Sequence, residues 1–281
     1  MKVAFIGLGA IGLPMAQQIR QAGHALIGIE LSEAGRERAR EQGLEASADW
    51  RAAQDAEAVV VMVATPAQLQ ALVDSFEPLR PGQYWVIMST VGPAAVREQG
   101  ERLAACGARV VDAPVTGGVA RARTGSLLIF ASGAPADVQA VNPVLAAMGE
   151  VKSTGDSIGD GQAIKVVNQH LCSVHLVAAA EALNLAHALG LDPAKVLELV
   201  ERGAGGSWML SDRGPRMLQG TDAQVTSMVD IFVKDSGLVA DAAQACHASV
   251  PLLDIAHQRF SSAAQAGLGQ RDDSRVIETW R

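Results

Sequence analysis

Cysteine, histidine and clustered basic residues are scarce in this chain of 281 residues. The three cysteines form no C-x-x-C pair and the six histidines form no H-x-x-x-H pair, so we expect neither a disulfide framework nor a metal site. A reducing cytoplasm is the predicted setting. Lys and Arg number 23 against 30 Asp and Glu, without a basic cluster. The electrostatic signature of nucleic-acid binding is therefore missing, and we expect no such partner.

Aromatic residues and long apolar runs are also few. Phe, Trp and Tyr make up 4% of the chain, whereas hydrophobic residues as a whole make up 49% and glycine occurs 28 times. We therefore expect a core of small aliphatic side chains, which suits close helix packing and tight turns. No segment has the roughly 18 uninterrupted apolar residues that cross a bilayer, and the glycines within residues 1–16 argue against a signal peptide. No membrane partner is expected.

The first 160 residues or so alternate short apolar runs with longer amphipathic segments. Continuously apolar runs predict buried parallel strands at 3–6, 26–29, 59–63 and 85–88. The segments between them predict helices at 11–22, 32–42, 66–75 and 93–106. Two further strands are expected at 109–112 and 127–132, separated by a glycine-rich loop. This alternation predicts an α/β fold with a Rossmann-type, doubly wound sheet.

The pattern changes after Gly161, where the β-branched apolar runs end. Residues 163–189 predict one long helix that ends at Gly190, and Asp192-Pro193 is a typical start for the next helix. Further helices are expected at 230–246 and 251–266. We predict a first domain over residues 1–161 and an all-α domain over residues 162–281, joined by the long helix.

A glycine-rich turn follows the first predicted strand. It has the pattern G-x-G-x-x-G, formed by Gly7, Leu8, Gly9, Ala10, Ile11 and Gly12. In such a turn the first glycine permits a tight bend, the second lets a pyrophosphate approach the backbone, and the third lets the helix pack closely on the sheet. The turn lies between a predicted strand and a predicted helix. It therefore predicts a dinucleotide site.

An acidic residue, Glu30, ends the second predicted strand. A carboxylate there accepts hydrogen bonds from a ribose diol and repels a 2′-phosphate, so NAD is predicted over NADP. Arg36 on the following helix could swing toward a 2′-phosphate, which leaves NADP as the alternative.

The sequence D-A-P-V-T-G-G at 112–118 combines a hydroxyl group with two glycines. Consecutive exposed amides beside the Thr116 hydroxyl form a cradle for an anion, such as a substrate carboxylate at Gly117 and Gly118. The alternative interpretation of this segment is an ordinary Gly-Gly hairpin.

Three polar residues share one face at the start of the long helix. Lys165, Asn168 and Gln169 are spaced at i, i+3 and i+4 in an otherwise apolar stretch. Lys165 either extends to solvent or is partly buried, and burial would lower its pKa toward the range useful for proton transfer. A lysine in that setting is a candidate general acid or base.

These motifs, in this order, resemble the β-hydroxyacid dehydrogenase family, which includes 3-hydroxyisobutyrate dehydrogenase, tartronate semialdehyde reductase and shorter relatives of 6-phosphogluconate dehydrogenase. The resemblance is carried by residues 7–12, S-T-V-G-P at 89–93, residues 112–118, G-x-G-x-x-x-K-x-x-N at 159–168, and Lys234-Asp235. Segments 207–209, 230–235 and 272–277 look most like the L-threonate dehydrogenase branch.

The resemblance implies an NAD-dependent oxidoreductase that oxidises the hydroxyl group of a small hydroxy acid without a metal. Lys165 would be the catalytic acid or base, and Asn168 with Gln169 would orient the substrate. The cradle at Thr116, Gly117 and Gly118 would hold the substrate carboxylate. Relatives commonly carry Ser where this chain has Thr116 and Asn where it has Gln169, and both replacements keep donors and acceptors.

The resemblance also implies where the cofactor would lie. Thr90 and Lys234 would line its nicotinamide end, and Ala64 would also contact the cofactor. Because the glycine turn and Lys234 belong to different predicted domains, the reaction centre is expected in the cleft between those domains.

Three alternatives and one further expectation remain. An NADP-dependent semialdehyde or glyoxylate reductase and an imine reductase share the fold, and a dinucleotide-binding sensor would keep it without turnover. The long helix also has an apolar face, formed by Leu176, Val177, Ala180, Leu183 and Leu185. This face either packs against the later helices or is exposed. The resemblance implies that such helices build a homodimer or homotetramer.

Overall fold

The computed structural model describes residues 1–76 and 80–280. The chain divides into two compact units, Met1–Lys165 and Val166–Arg281. The first unit is built on a nine-stranded sheet and the second is helical.

The sheet of the first unit contains β1 to β9. Their bounds are Lys2–Ile6, Ala25–Ile29, Ala46–Ser47, Ala58–Val61, Tyr84–Ile87, Arg109–Asp112, Val115–Thr116, Leu127–Ser132 and Gly149–Gly155. The strand order is β3-β2-β1-β4-β5-β6-β8-β7, and β9 pairs with β8. The order reverses at β1, and ligands of open α/β sheets bind at such a switch point, beyond the carboxyl ends of the strands.

The six predicted strands are confirmed, four of them from continuous apolar runs, and the sheet from β3 to β6 is parallel. The prediction of a simple glycine-rich loop between 112 and 127 is wrong, because this segment contains β7 and a short helix. β7 runs antiparallel to β8, whereas β9 runs parallel to it. The short strands β3 and β7 and the polar strand β9 carry no continuous apolar run, so the pattern did not reveal them.

Six helices, α1 to α6, connect these strands. They span Gly12–Gln21, Glu33–Glu41, Pro66–Ser75, Pro93–Ala105, Gly118–Arg123 and Pro135–Ala146. Ser32 caps α2 by accepting a hydrogen bond from the Gly35 N–H at 3.3 Å. Thr65 and Gln68 form a reciprocal capping box at the start of α3. All four helices predicted for this unit are confirmed.

The core of the first unit forms two clusters built mostly from Val, Ile, Leu, Ala and Met, as the composition predicts. Aromatic packing is concentrated at one place, where Phe76 contacts Trp50 and Trp85 with ring centroids 4.5 and 4.8 Å away. Phe5 is a buried aromatic residue of the other cluster, and the partly buried Tyr84 packs against it. Small side chains therefore let the helices lie close to the sheet.

The second unit contains most of α7 and the helices α8 to α11. α7 spans Asp160–Ala188, and the others span Pro193–Val200, Trp208–Met217, Val229–Ala245 and Pro251–Ala263. Asp192 caps α8 as predicted, since its side chain accepts from the Ala194 N–H at 3.0 Å. A final 3₁₀ segment covers Asp273–Trp280.

The apolar face predicted for α7 is mostly an internal one. Leu176, Val177, Ala180 and Leu183 are buried in a helical core that includes the stacked rings of Phe232 and Phe260. Leu185 is exposed. Among the described helices, α7 alone is long and apolar enough to cross a membrane by length and composition, a test that core helices also pass.

Candidate active site

The glycine turn lies at the switch point of the sheet. Gly7 adopts φ +93°, and a Cβ there would lie 2.3 Å from the carbonyl oxygen of Met62, the residue after β4. A Cβ on Gly12 would lie 2.0 Å from the Gly7 carbonyl oxygen. Both positions therefore require glycine for reasons internal to the protein.

Gly9 differs from its neighbours in the turn. A Cβ at Gly9 would meet no described atom within 4 Å, and Gly9 and Ala10 are both exposed. Leu8 is buried and Ile11 is half-buried, so these two anchor the turn. Within the described chain, no side chain caps the start of α1 and no acidic residue lies in its first turn. Its N–H groups and helix dipole are therefore available to an anion.

Glu30 lies beside this turn at the end of β2. Its carboxylate oxygens accept hydrogen bonds from the N–H groups of Leu8 and Ser32, each at 2.9 Å. Arg36 donates from Nη1 to the backbone carbonyls of Glu30 and Leu31 at 2.8 and 2.7 Å. The structure thus places Glu30 and Arg36 at the same corner of the sheet, with Arg36 bonded to backbone oxygens there.

The two other predicted cofactor residues of this unit follow neighbouring strands. Ala64 is exposed after β4 and donates its N–H to Oε1 of Gln68 at 2.8 Å. Thr90 is half-buried after β5. The two segments are tied together by Ser89, whose hydroxyl accepts from the Val63 N–H at 2.7 Å.

The D-A-P-V-T-G-G segment forms a strand end, a short strand and a helix start rather than a plain hairpin. Thr116 ends β7, and Gly117 and Gly118 follow with φ +130° and +68°. A Cβ on Gly117 would lie 2.7 Å from Cδ of Arg121, whereas one on Gly118 would meet no described atom within 4 Å. All three residues are half-buried. Because a Cβ on Gly118 would meet no described atom, the space beside the Gly118 backbone is open.

A buried polar network joins this segment to α7. Oδ2 of Asp112 accepts from the N–H groups of Gly159 and Gln162 at 3.1 and 3.0 Å and from the Ser132 hydroxyl at 3.3 Å. Ser132 in turn accepts from the Gly161 N–H at 3.0 Å. Side chains from the ends of β6 and β8 therefore satisfy the free N–H groups at the start of α7.

Burial raises the pKa of the Asp112 carboxyl to about 6, against hydrogen bonds from Gln162, Gly159 and Ser132 that lower it. Asp112 and Gln162 both lie within sequence motifs, but no local pattern predicts a role for either residue. Asp112 could have been recognised as an acidic residue at the end of an apolar strand, because a carboxylate buried there needs hydrogen-bond donors from other segments.

α7 carries the predicted acid or base one turn after this network. Lys165 is buried, with 6% of its surface exposed, and Gln169 is buried at 7%. Asn168 is half-buried and donates from Nδ2 to Oε1 of Gln169 at 2.9 Å and to Sγ of Cys172 at 3.4 Å. The helical spacing puts Lys165, Asn168 and Gln169 on one face, as the sequence predicts.

Lys234 belongs to a separate cluster in the second unit. Its Nζ lies 2.8 Å from Oδ1 of Asp235, and Nε2 of Gln169 donates to Oδ2 of the same carboxylate. Asp235 is 4% exposed. The Gln169 amide therefore connects α7 to α10 within the helical unit. Within residues 1–76 and 80–280, no three His, Cys, Asp or Glu side chains are grouped so as to hold a metal ion.

Comparisons with known proteins agree with this architecture. The NAD-binding domain of 6-phosphogluconate dehydrogenase matches residues 2–164, and the NAD-binding domain of NADP-dependent 3-hydroxyisobutyrate dehydrogenase matches residues 159–280. L-threonate dehydrogenase of Haemophilus influenzae is 36% identical over 283 residues, covering 98% of this chain and 94% of the relative.

Solved structures give the same result. A crystal structure of 3-hydroxyisobutyrate dehydrogenase from Salmonella typhimurium has a TM-score of 0.92 and 35% identity, with 99% of both chains covered. An imine reductase from a Pseudomonas species shares the fold alone, with a TM-score of 0.66 and 21% identity over 100% of this chain and 99% of that one. The chain therefore belongs to the β-hydroxyacid dehydrogenase family of NAD(P)-dependent oxidoreductases.

Proposed function

We propose that the protein oxidises the hydroxyl group of a small hydroxy acid, with NAD as the cofactor and Lys165 as the acid or base. The observation that carries this proposal is the burial of Lys165 on a helix whose start is fixed by Asp112 and Ser132. A buried amine at a rigid position is suited to exchange a proton with a bound hydroxyl group.

The glycine turn fits a dinucleotide. The open space at Gly9 and the uncapped start of α1 would accept the pyrophosphate of the dinucleotide. Ala64 and Thr90 would contact other parts of the same cofactor. When bound, the nicotinamide supplies the hydride acceptor. The resemblance adds Lys234 at the nicotinamide end.

The choice of NAD rests on Glu30. Both of its carboxylate oxygens are oriented by backbone N–H groups, so a negative charge is held where a 2′-phosphate would have to lie. Arg36 opposes this preference less than the sequence suggested, because one of its nitrogens already bonds two backbone carbonyls. Comparison of kcat/KM for NAD and NADP tests this choice.

In the proposed reaction, the Thr116 hydroxyl and the Gly117–Gly118 backbone hold the substrate carboxylate. Lys165, in its neutral form, accepts the proton of the substrate hydroxyl group, and in the reverse direction it returns that proton. Asn168 and Gln169 are proposed to orient the substrate, with Gln169 already bonded to Asp235.

The proposed substrates are acids of the L-threonate, 3-hydroxyisobutyrate and D-glycerate type. The L-threonate dehydrogenase of Haemophilus influenzae, at 36% identity, makes L-threonate the first candidate. A panel of these acids with NAD and with NADP, followed by absorbance of the reduced cofactor, tests the proposal. A dinucleotide-binding sensor would bind NAD and produce no reduced cofactor with any acid in the panel.

We also propose that α7 forms part of a homodimer or homotetramer contact. Four apolar residues on one side of this helix, Ile164, Val167, Leu171 and Leu185, are 44–60% exposed. Such a stripe favours a second protein surface over water. Light scattering at micromolar concentration is expected to give a multiple of the monomer mass, and a monomer would contradict it.

The three free cysteines support a reducing, cytoplasmic setting.

A further inference from the structure

Gln162 uses every hydrogen-bonding group of its side-chain amide. Its Nε2 donates to the carbonyl oxygen of Ser89 at 2.9 Å and to Oδ1 of Asp112 at 3.0 Å. Its Oε1 accepts from the N–H groups of Val91 and Gly92 at 3.1 and 3.0 Å. An amide has two donor hydrogens and two acceptor lone pairs, so the side chain is fully satisfied. It is also fully buried.

These four bonds join Gln162 to two other segments of the predicted site. Ser89, Val91 and Gly92 lie on both sides of Thr90, which is the residue expected near the nicotinamide. Asp112 is the last residue of β6 and the first residue of the D-A-P-V-T-G-G segment, which contains the predicted carboxylate cradle. Gln162 itself lies in the first turn of α7, three residues before Lys165.

We propose that Gln162 is a positioning residue, which holds the Thr90 segment, the start of the D-A-P-V-T-G-G segment and the Lys165 turn in one fixed arrangement. The inference rests on the proposed function of Lys165. α7 rises about 1.5 Å per residue, so Lys165 lies roughly one turn from the buried amide and moves with it. A misplacement of about 1 Å in a catalytic group costs on the order of 10²-fold in rate.

Asp112 completes the arrangement on the other side of the amide. Its carboxylate accepts the side-chain and backbone N–H groups of Gln162 through different oxygens, which fixes both the rotamer and the helix start. Glycine at position 161 allows this approach, because a Cβ there would lie 2.4 Å from the Phe130 carbonyl oxygen. The contacts are specific to an amide, since an apolar side chain would leave the Val91 and Gly92 N–H groups without this acceptor.

The test compares Gln162→Leu with Gln83→Leu. Gln83 is a matched control, because it is also buried in the first unit and bonds Ala53, Ala56 and Trp85 through its side-chain amide. Both variants lose buried hydrogen bonds and should lose similar stability. Only Gln162→Leu is expected to lower kcat, by about 10²-fold, with KM changed much less. Equal kcat in the two variants would overturn the inference.

Hydrogen exchange supplies a second readout that does not depend on turnover. In Gln162→Leu the amides of Val91 and Gly92 and of the first turn of α7 should exchange faster, whereas in Gln83→Leu they should match the wild type. Unchanged exchange at these amides overturns the inference. If the wild-type protein produces no reduced cofactor with any hydroxy acid, the proposed function fails, and the exchange comparison still decides the role of Gln162.

Gln162→Glu is the second variant, for the case in which Gln162→Leu does not fold. The new carboxyl keeps oxygen acceptors for Val91 and Gly92 but faces the Asp112 carboxylate. Its kcat relative to wild type is expected to fall as the pH rises, because ionisation places two negative charges side by side. A ratio that stays constant with pH, together with wild-type exchange at Val91, overturns the inference.

Discussion

The backbone N–H of Leu8 donates to Oε2 of Glu30 across 2.9 Å, which ties the glycine turn after β1 to the end of β2. The other carboxylate oxygen accepts from Ser32 at 2.9 Å. One acidic side chain therefore shapes the turn proposed for the pyrophosphate and supplies the charge proposed to select the cofactor. Glu30 therefore takes part both in the shape of the glycine turn and in the proposed cofactor selection, which the sequence motifs treat as separate features.

The Glu30→Gln variant tests the cofactor choice. It removes the negative charge at nearly constant volume, so the ratio of kcat/KM for NAD over NADP is expected to fall about tenfold, which is about 1.4 kcal/mol of discrimination. Steady-state kinetics with both cofactors measures the ratio. Glu37→Gln, on the exposed side of α2, is the control and should leave it unchanged. An unaltered ratio in Glu30→Gln would show that this carboxylate does not select NAD.

The glycine turn gives a paired test at Gly9 and Gly12. Gly9→Ala adds a Cβ into open space, so the midpoint of thermal unfolding should stay near the wild-type value while the Kd for NAD rises at least about tenfold. Gly12→Ala adds a Cβ 2.0 Å from the Gly7 carbonyl oxygen, so the protein itself should lose about 3 kcal/mol of stability. Calorimetry and cofactor titration separate the two effects. Normal NAD affinity in Gly9→Ala would contradict the proposed pyrophosphate position.

The raised pKa of Asp112 predicts that the free energy of unfolding depends on pH. Its pKa is raised from 3.8 to about 6 by burial, so the folded state binds this proton more tightly than the unfolded state. The stabilising contribution is complete below pH ~4 and is lost as the pH rises through about 6. This difference in pKa between the folded and unfolded states corresponds to roughly 2–3 kcal/mol of stability.

The measurement is the free energy of unfolding of wild type and Asp112→Asn between pH 4 and 7. Since the variant lacks the titrating group, the difference, wild type minus variant, should decrease as the pH rises from about 4 to about 6 and then level off. A difference that is constant or increases over that range would contradict the assigned pKa.

Much of the fold follows from local pattern. Continuous apolar runs identified β1, β2, β4 and β5, because strands buried on both faces need no polar alternation. β9 has the sequence G-E-V-K-S-T-G, which is too polar to stand out, and it forms through pairing with β8. Its existence depends on a neighbour that the pattern cannot supply.

The residues of the candidate site also fall into two groups, those that a local pattern identifies and those that only the fold brings together. The glycine turn, the cradle and Lys165 could be found because each has a local signature of residue types and spacing. The contact between Asp112 and Gln162 joins residues 50 positions apart, and neither residue is unusual in its own segment. Only the folded chain shows that the end of β6 caps α7.

The helical unit contains a buried ion-pair cluster that offers a stability test. Arg213 donates to Asp273 from Nη2 at 2.9 Å and from Nε at 3.2 Å, and Asp273 is fully buried. Asp273→Asn removes the charge that compensates the guanidinium and should cost about 3 kcal/mol in unfolding free energy. Glu198→Gln, in the exposed pair with Lys195, should cost less than about 1 kcal/mol. Equal losses in denaturant titrations would show that the buried pair is not specially coupled.

The central claim is that Lys165 moves the proton of the substrate hydroxyl group. The most direct measurement is kcat of Lys165→Ala with NAD and the best acid from the panel, together with the Kd for NAD. Loss of general acid–base catalysis predicts a decrease in kcat of about 10²–10⁴-fold, with Kd within about twofold of wild type. Lys195→Ala, on the exposed side of α8, should keep wild-type kinetics. A Lys165→Ala variant that folds, binds NAD and retains near-wild-type kcat would contradict the mechanism.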